Sequence, residues 1–167
     1  KWKLFLPSNL AYGERGAARA EDPDASYRED QSYAYFMRRA MDLLAPGGLG
    51  VFLVPAGFLS GARNQTLRRK ILLRNHLAVA YRLPSVEGKR TLFPGANLVI
   101  DCVFLRSRGG QLADVDPADR AILEGRYFEE FPRHILGQEA GKNSGEDDQI
   151  RGGSGRYRYT VTGDFVG

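Results

Sequence analysis

The sequence predicts an α/β domain, and three observations carry that expectation. Predominantly apolar runs of strand length recur at residues 2–7, 49–55, 77–83 and 98–105, the second of them continuous. An apolar stripe at helical spacing lies between the first two runs. Turn residues Pro46-Gly47-Gly48 mark the change of period. A length of 167 residues with 43% hydrophobic content suffices for one packed core.

Taken in order, residues 2–7 read as a buried strand ended by Pro7, which cannot donate to a ladder. Residues 9–24, rich in Gly, Ala, Arg and acids, read as a mobile loop. Ser26 and Glu29 have the spacing of a capping box. Tyr33, Phe36, Met37, Ala40, Met41 and Leu44 then form the core face of a helix that stops at Pro46-Gly47-Gly48. Residues 49–55 are apolar throughout, as strands buried on both faces of a parallel sheet are. Residues 66–75 predict a basic helix that buries Leu67, Ile71 and Leu72 beneath its arginines.

Two further strands, 77–83 and 98–105, are joined by a loop holding Gly88, Lys89, Arg90 and Phe93. With no helix between them they should pair antiparallel at a sheet edge. Residues 117–125 suggest a short helix, 138–155 a flexible Gly-rich segment and 156–166 a terminal strand. The expected division is 1–108 for the α/β unit and 109–167 for an extension.

Charge is unevenly spread. Between Ser60 and Gly110, Arg63, Arg68, Arg69, Lys70, Arg74, Arg82, Lys89, Arg90, Arg106 and Arg108 are opposed only by Glu87 and Asp101, a local excess of +8. The remainder is −4, so the net charge of +4 conceals a basic block suited to phosphate contact. A solvated helix face is the plainer explanation, and charge alone leaves both open.

Nothing approaches the ~20 apolar residues of a membrane span, and no secretory signal opens the chain. Lys1 stands where a Met would begin a chain, which suggests a fragment. The lone Cys102 sits in an apolar run and suits a reducing, cytoplasmic setting.

Several motifs can be set aside. Gly47-Gly48-Leu49-Gly50 follows a helix and opens a strand, the reverse of a dinucleotide fingerprint. Gly88-Lys89-Arg90-Thr91 lacks the upstream glycine of a P-loop. His76 and His134 have no cysteine or carboxylate at ligand spacing, so no metal is expected. No Gly-x-Ser-x-Gly elbow is present.

What remains is an order of elements. Phe5 to Gly13, with Ser8-Asn9-Leu10-Ala11-Tyr12-Gly13 after a strand, is followed by the 33–44 helix. Ala45-Pro46-Gly47-Gly48 then precedes a strand, and Tyr81-Arg82-Leu83-Pro84 and Thr91-Leu92-Phe93 complete the series. Over roughly residues 2–108 this resembles the C-terminal half of an adenine-specific, amino-methylating DNA methyltransferase. Asn-Leu-Ala-Tyr stands where that family has Asn-Pro-Pro-Tyr. The tail, with Tyr127-Phe128-Glu129-Glu130-Phe131-Pro132, is similar to methylases encoded with large phage- and plasmid-type helicases.

The resemblance implies part of a Rossmann-like methyltransferase sheet with a short C-terminal extension. It also implies S-adenosylmethionine as methyl donor. Asn9 would accept an amino hydrogen of a flipped-out adenine through its side chain, and Leu10 another through its carbonyl. Tyr12 would stack on the base and Phe93 would approach its other side. Arg63, Arg68, Arg69, Lys70, Lys89 and Arg90 would follow the DNA backbone.

Proline in the family's motif fixes φ near −65°. Leu10-Ala11 leaves the Leu10 carbonyl less constrained. The family's Gly-rich cofactor turn, which lies upstream of the motif, is absent from these 167 residues. A missing N-terminal half or a partner chain is therefore expected, and the chain alone should not methylate. The other open reading is a non-catalytic DNA-binding or assembly module that completes its sheet with a partner. An unrelated α/β protein is the third.

Overall fold

The computed structural model describes residues 2–5, 13–84, 86–87, 90–91, 99–140 and 160–162. Its strands are β1 (Trp2–Phe5), β2 (Leu44–Pro55), β3 (Asn75–Arg82), β4 (Val86–Glu87), β5 (Arg90–Thr91), β6 (Ile100–Ser107), β7 (Gln138–Ala140) and β8 (Thr160–Thr162). The helices are α1 (Ser32–Asp42), α2 (Gln65–Leu72), α3 (Arg120–Glu124) and α4 (Tyr127–Glu130).

The fold is α/β. Among the described residues the main sheet has the order β1-β2-β6-β3. β1 runs parallel to β2, and β6 is antiparallel to both β2 and β3. Thus β1, β2 and β3 point the same way, linked by α1 and α2, which is a partial Rossmann-like arrangement with one reversed strand inserted. The expected antiparallel pair is present, with β3 at the edge. Four short strands form a separate sheet of order β5-β4-β8-β7.

Cross-strand partners share a face of the sheet, so the registers Phe52↔Val103, Val54↔Asp101 and Ala80↔Val103 define one buried face. Tyr33, Met37 and Met41 of α1, Leu67, Ile71 and Leu72 of α2, Ile122 of α3, and Tyr127 and Phe128 of α4 form one cluster with that face. Burial of this continuous apolar surface is what holds the helices down. The segment after Ser107 therefore folds back onto the same core. Gly125 ends α3 in the left-handed region at φ +74°, where a side chain would be strained.

Local expectations shift in places. α1 begins at Ser32, not at a Ser26–Glu29 box. Asp24 accepts from the Ser26 amide to start a short 3-10 turn instead, while Glu29 turns inward. Phe36 is 46% exposed, off the core stripe, and Leu44 already belongs to β2. α2 ends at Leu72, because Asn75 is buried at the start of β3 and its Nδ2 donates to the Ile71 carbonyl at 2.9 Å. The loop expected to be mobile is anchored from Gly13 onward. Asp22 is buried and accepts from Arg39 at 2.8 Å, and Tyr27 lies beneath the guanidinium groups of Arg38 and Arg39.

Candidate functional site

In open α/β sheets ligands bind beyond the carboxyl ends of the parallel strands. Here that edge is formed by Phe5 of β1, Pro55 of β2 and Arg82 of β3, with Ile100 at the start of the reversed β6. The Ala56 amide donates to the Val99 carbonyl at 3.0 Å and the Leu83 amide to the Ile100 carbonyl at 2.9 Å. These bonds bring the ends of three strands together.

Behind them lies a buried ion pair. Arg82 Nε donates to Asp101 Oδ1 at 2.9 Å, and Nη2 donates to Asp101 Oδ2 at 3.2 Å and to Ser60 Oγ at 2.8 Å. The guanidinium also stacks over the Phe128 ring, 4.2 Å from its centroid. A fork-to-fork pair of this kind fixes geometry as well as charge. Sequence reading missed it. The signal was present as opposite charges at the facing ends of two apolar strands, but only the register Arg82↔Asp101 unites them.

The described flank of the Asn9 segment reaches the same edge. Ser32, opening α1, donates its amide to the Gly13 carbonyl at 2.9 Å, and the Arg15 amide bonds the Asp30 carbonyl at 2.8 Å. One residue on, Tyr33 is buried edge-on against Phe58, with centroids 6.5 Å apart. Burial pushes the Tyr33 hydroxyl up to about 12, against the opposing pull of Arg63 and Arg68. Gly13, Tyr33, Phe58 and the Arg63 loop thus gather at one end of the sheet. Asn64 Nδ2 holds that loop by donating to the Gly57 carbonyl at 2.8 Å.

Asn9, Leu10, Tyr12, Lys89 and Phe93 lie outside the described residues, and Arg90 is described only as a strand residue. Arg63 and Arg69 are exposed. Lys70 is half-exposed and donates to Glu29 at 2.9 Å, sharing that buried carboxylate with Arg38.

Arg68 is a correction. It is 0% exposed, and its guanidinium donates to the carbonyls of Phe58 (2.8 Å), Gly61 (2.6 Å) and Leu123 (3.1 Å). Burial lowers its pKa from the ordinary value. It fastens the loop after β2 to α3 and cannot face a phosphate.

The residues present do not compose a site for S-adenosylmethionine. Gly47 and Gly48 stand near the amino end of β2, opposite the ligand edge. Among the described residues no Gly-x-Gly-x-x-Gly turn follows a strand and opens a helix; the loop between β2 and α2 holds only the separated Gly57 and Gly61. Among the described residues no group of acids, His and Cys could hold a metal, and no helix is long and apolar enough to cross a membrane.

No protein-family model matches the chain. Over 140 residues it is 28% identical to "Defense against restriction protein B" of Escherichia phage P1, a match covering 77% of this chain and 6% of that protein. Among solved structures, it is similar to the M protein of the type I restriction enzyme EcoKI. That likeness has 21% identity and TM-score 0.41, covering 62% of this chain and 25% of the other. A chain from a study of type I restriction–modification complex assembly is similar at 21% identity and TM-score 0.45, covering 65% and 21%. The chain therefore spans a small fraction of the phage relative and about a quarter or less of either structural neighbour.

Proposed function

We propose that the chain is the target-base half of an adenine-specific DNA methyltransferase domain. A further segment or a partner chain would hold S-adenosylmethionine. One observation carries this reading: three like-directed strands end at the edge where the chain enters residues 6–12 and 85–98. Those two segments hold the proposed base-contacting residues. The phage relative's name, defence against restriction, supports a role on DNA that a restriction enzyme would otherwise cut.

The adenine amino group is a poor nucleophile because its lone pair is delocalised into the ring. In this proposal the Asn9 side-chain oxygen and the Leu10 carbonyl each accept one amino hydrogen and turn the lone pair out of the ring plane. Tyr12 and Phe93 hold the extruded base between them, with stacking worth about 1–3 kcal/mol per base. Arg63, Arg69, Lys70, Lys89 and Arg90 would contact the DNA backbone. The bound cofactor would supply the methyl group.

A second reading, a non-catalytic module completed by a partner, is favoured by the outer edge of β1, which no described strand pairs. A labelled-methyl transfer assay on adenine-containing duplex separates the two. The 167-residue chain alone should transfer nothing. A longer polypeptide containing the cofactor-binding half should transfer, and Asn9→Ala should cost about 100-fold or more in rate. Transfer by the isolated chain would overturn the division into halves. DNA binding without transfer in the longer polypeptide would favour the module.

A further inference from the structure

Three tyrosines are buried among the described residues, and two of them engage their hydroxyls. Tyr27 donates to Asp42, and Tyr127 accepts from the Ala80 amide at 3.0 Å and meets His134 Nδ1 at 2.8 Å. Tyr33, only 4% exposed, has no partner for its hydroxyl among the described residues. No fully buried side-chain oxygen or nitrogen among them lacks a partner, so the hydroxyl is where Tyr33 reaches solvent. Packing does not require it. Phenylalanine would make the same edge-on contact with Phe58, at 6.5 Å between centroids, without desolvating a phenol.

The surroundings select what this hydroxyl can bind. Three charged groups act on it: Arg63, Arg68 and Glu29. Arg68 is occupied by the carbonyls of Phe58, Gly61 and Leu123, and Glu29 is held by Arg38 and Lys70. Of the three, Arg63 is exposed and has no carboxylate partner among the described residues. Burial holds the phenolic proton up to about 12, so the hydroxyl is a neutral donor at physiological pH. A neutral donor beside an unpaired cation suits an anionic oxygen. Arg63 also directly precedes Asn64, where α2 starts without a side-chain cap because Asn64 Nδ2 donates to the Gly57 carbonyl instead. The first-turn amides of α2 add partial positive charge there.

We propose that Tyr33 and Arg63, with the start of α2, form a seat for one phosphate of a nucleic-acid strand whose base enters the strand-end crevice. The inference rests on the base-binding reading above and names a ligand group for it. The Ser32 amide donates to the Gly13 carbonyl at 2.9 Å, so the seat adjoins the segment that holds Asn9 and Tyr12. A nucleotide drawn out of its stack brings the phosphates on both sides of its sugar to the mouth of the pocket. Arg63 supplies charge. The Tyr33 hydroxyl, fixed by the burial of its ring, sets where that charge meets the phosphate.

The test is binding of a fluorescein-labelled oligothymidylate with one central adenine, followed by anisotropy. Tyr33→Phe keeps the ring, so urea unfolding at pH 7 should not change while affinity falls about tenfold. Arg63→Gln should weaken binding by a similar factor and lower the salt slope by about 0.7. Tyr33→Phe removes no charge and should leave that slope as it is. A neutral methylphosphonate placed 5′ or 3′ of the adenine should, at one of the two positions, abolish the effect of Tyr33→Phe. No binding of the oligonucleotide, binding indifferent to Tyr33→Phe, or a loss that survives both methylphosphonates overturns the proposal. So does a Tyr33→Phe loss confined to S-adenosylmethionine affinity in the longer polypeptide, which would assign the seat to the cofactor's carboxylate. Methyl transfer that needs Asn9 but not Tyr33 would remove the seat alone. A phosphate-dependent role of Tyr33 without any transfer would remove only the methylation reading.

Discussion

A guanidinium survives in a protein interior without a carboxylate only if carbonyl oxygens replace its hydration shell. Arg68 meets that condition through Phe58, Gly61 and Leu123. Arg68→Met would keep much of the volume and strand three acceptors, so we expect a loss of about 3 kcal/mol in urea unfolding. Arg69→Met, on the exposed side of the same helix, should stay within about 0.5 kcal/mol. An equal effect at both positions would refute the buried placement. The sequence marked Leu67, Ile71 and Leu72 as buried but put Arg68 outside, because the element that covers it, α3, lies some fifty residues downstream. Tyr33 gives a second test. The folded state holds its phenolic proton more tightly than the unfolded chain, whose pKa is the ordinary 10.0. That advantage is intact below pH 10 and lost as pH rises toward about 12, a fall of roughly 2–3 kcal/mol. Tyr33→Phe should flatten the stability curve across that window, and an unchanged alkaline limb would mean another group titrates.

Between elements, Gly50 sets how closely α1 lies on β2. A Cβ there would come 2.5 Å from Met41 Sδ and 2.7 Å from the Phe52 ring. Gly50→Ala should therefore destabilise by about 1–3 kcal/mol through overpacking. Adding Met41→Ala should cost less than the two single changes summed, since the second removes what the first strikes. Strict additivity in chemical denaturation would show that the helix moves aside freely. Glycine spacing alone did not announce this contact, because Gly50 reads as one more turn residue after Pro46-Gly47-Gly48. Other relations between elements were legible. The absence of a helix between β3 and β6 foretold their antiparallel pairing. The insertion of β6 between β2 and β3 was not, since strand order is a choice among long-range pairings that no local pattern records.

Over the whole molecule the basic block divides. Arg68 and Arg82 are interior. Lys70 and Arg74 face Glu29 and Asp42. Arg106 and Arg108 sit at the opposite end of the sheet from Arg63, because β6 runs backward. The excess of +8 read along the chain is thus not one surface, and charge counting could not know it, since a reversed strand carries its last residues away from the ligand edge. Of the described cations proposed for DNA, Arg63 and Arg69 are exposed without a carboxylate partner among the described residues. If they meet phosphates, each contact releases counterions. Reversing both to Glu should then weaken duplex binding and reduce the slope of log K against log salt by about 2. Arg106→Glu should leave the slope unchanged, because that end of the sheet lies opposite the strand ends beside which the DNA is proposed to bind. A slope insensitive to Arg63 and Arg69 but lowered by Arg106→Glu would exchange the two ends. It would place the nucleic acid at the Arg106 end of the sheet and leave the carboxyl ends of β1, β2 and β3 without DNA.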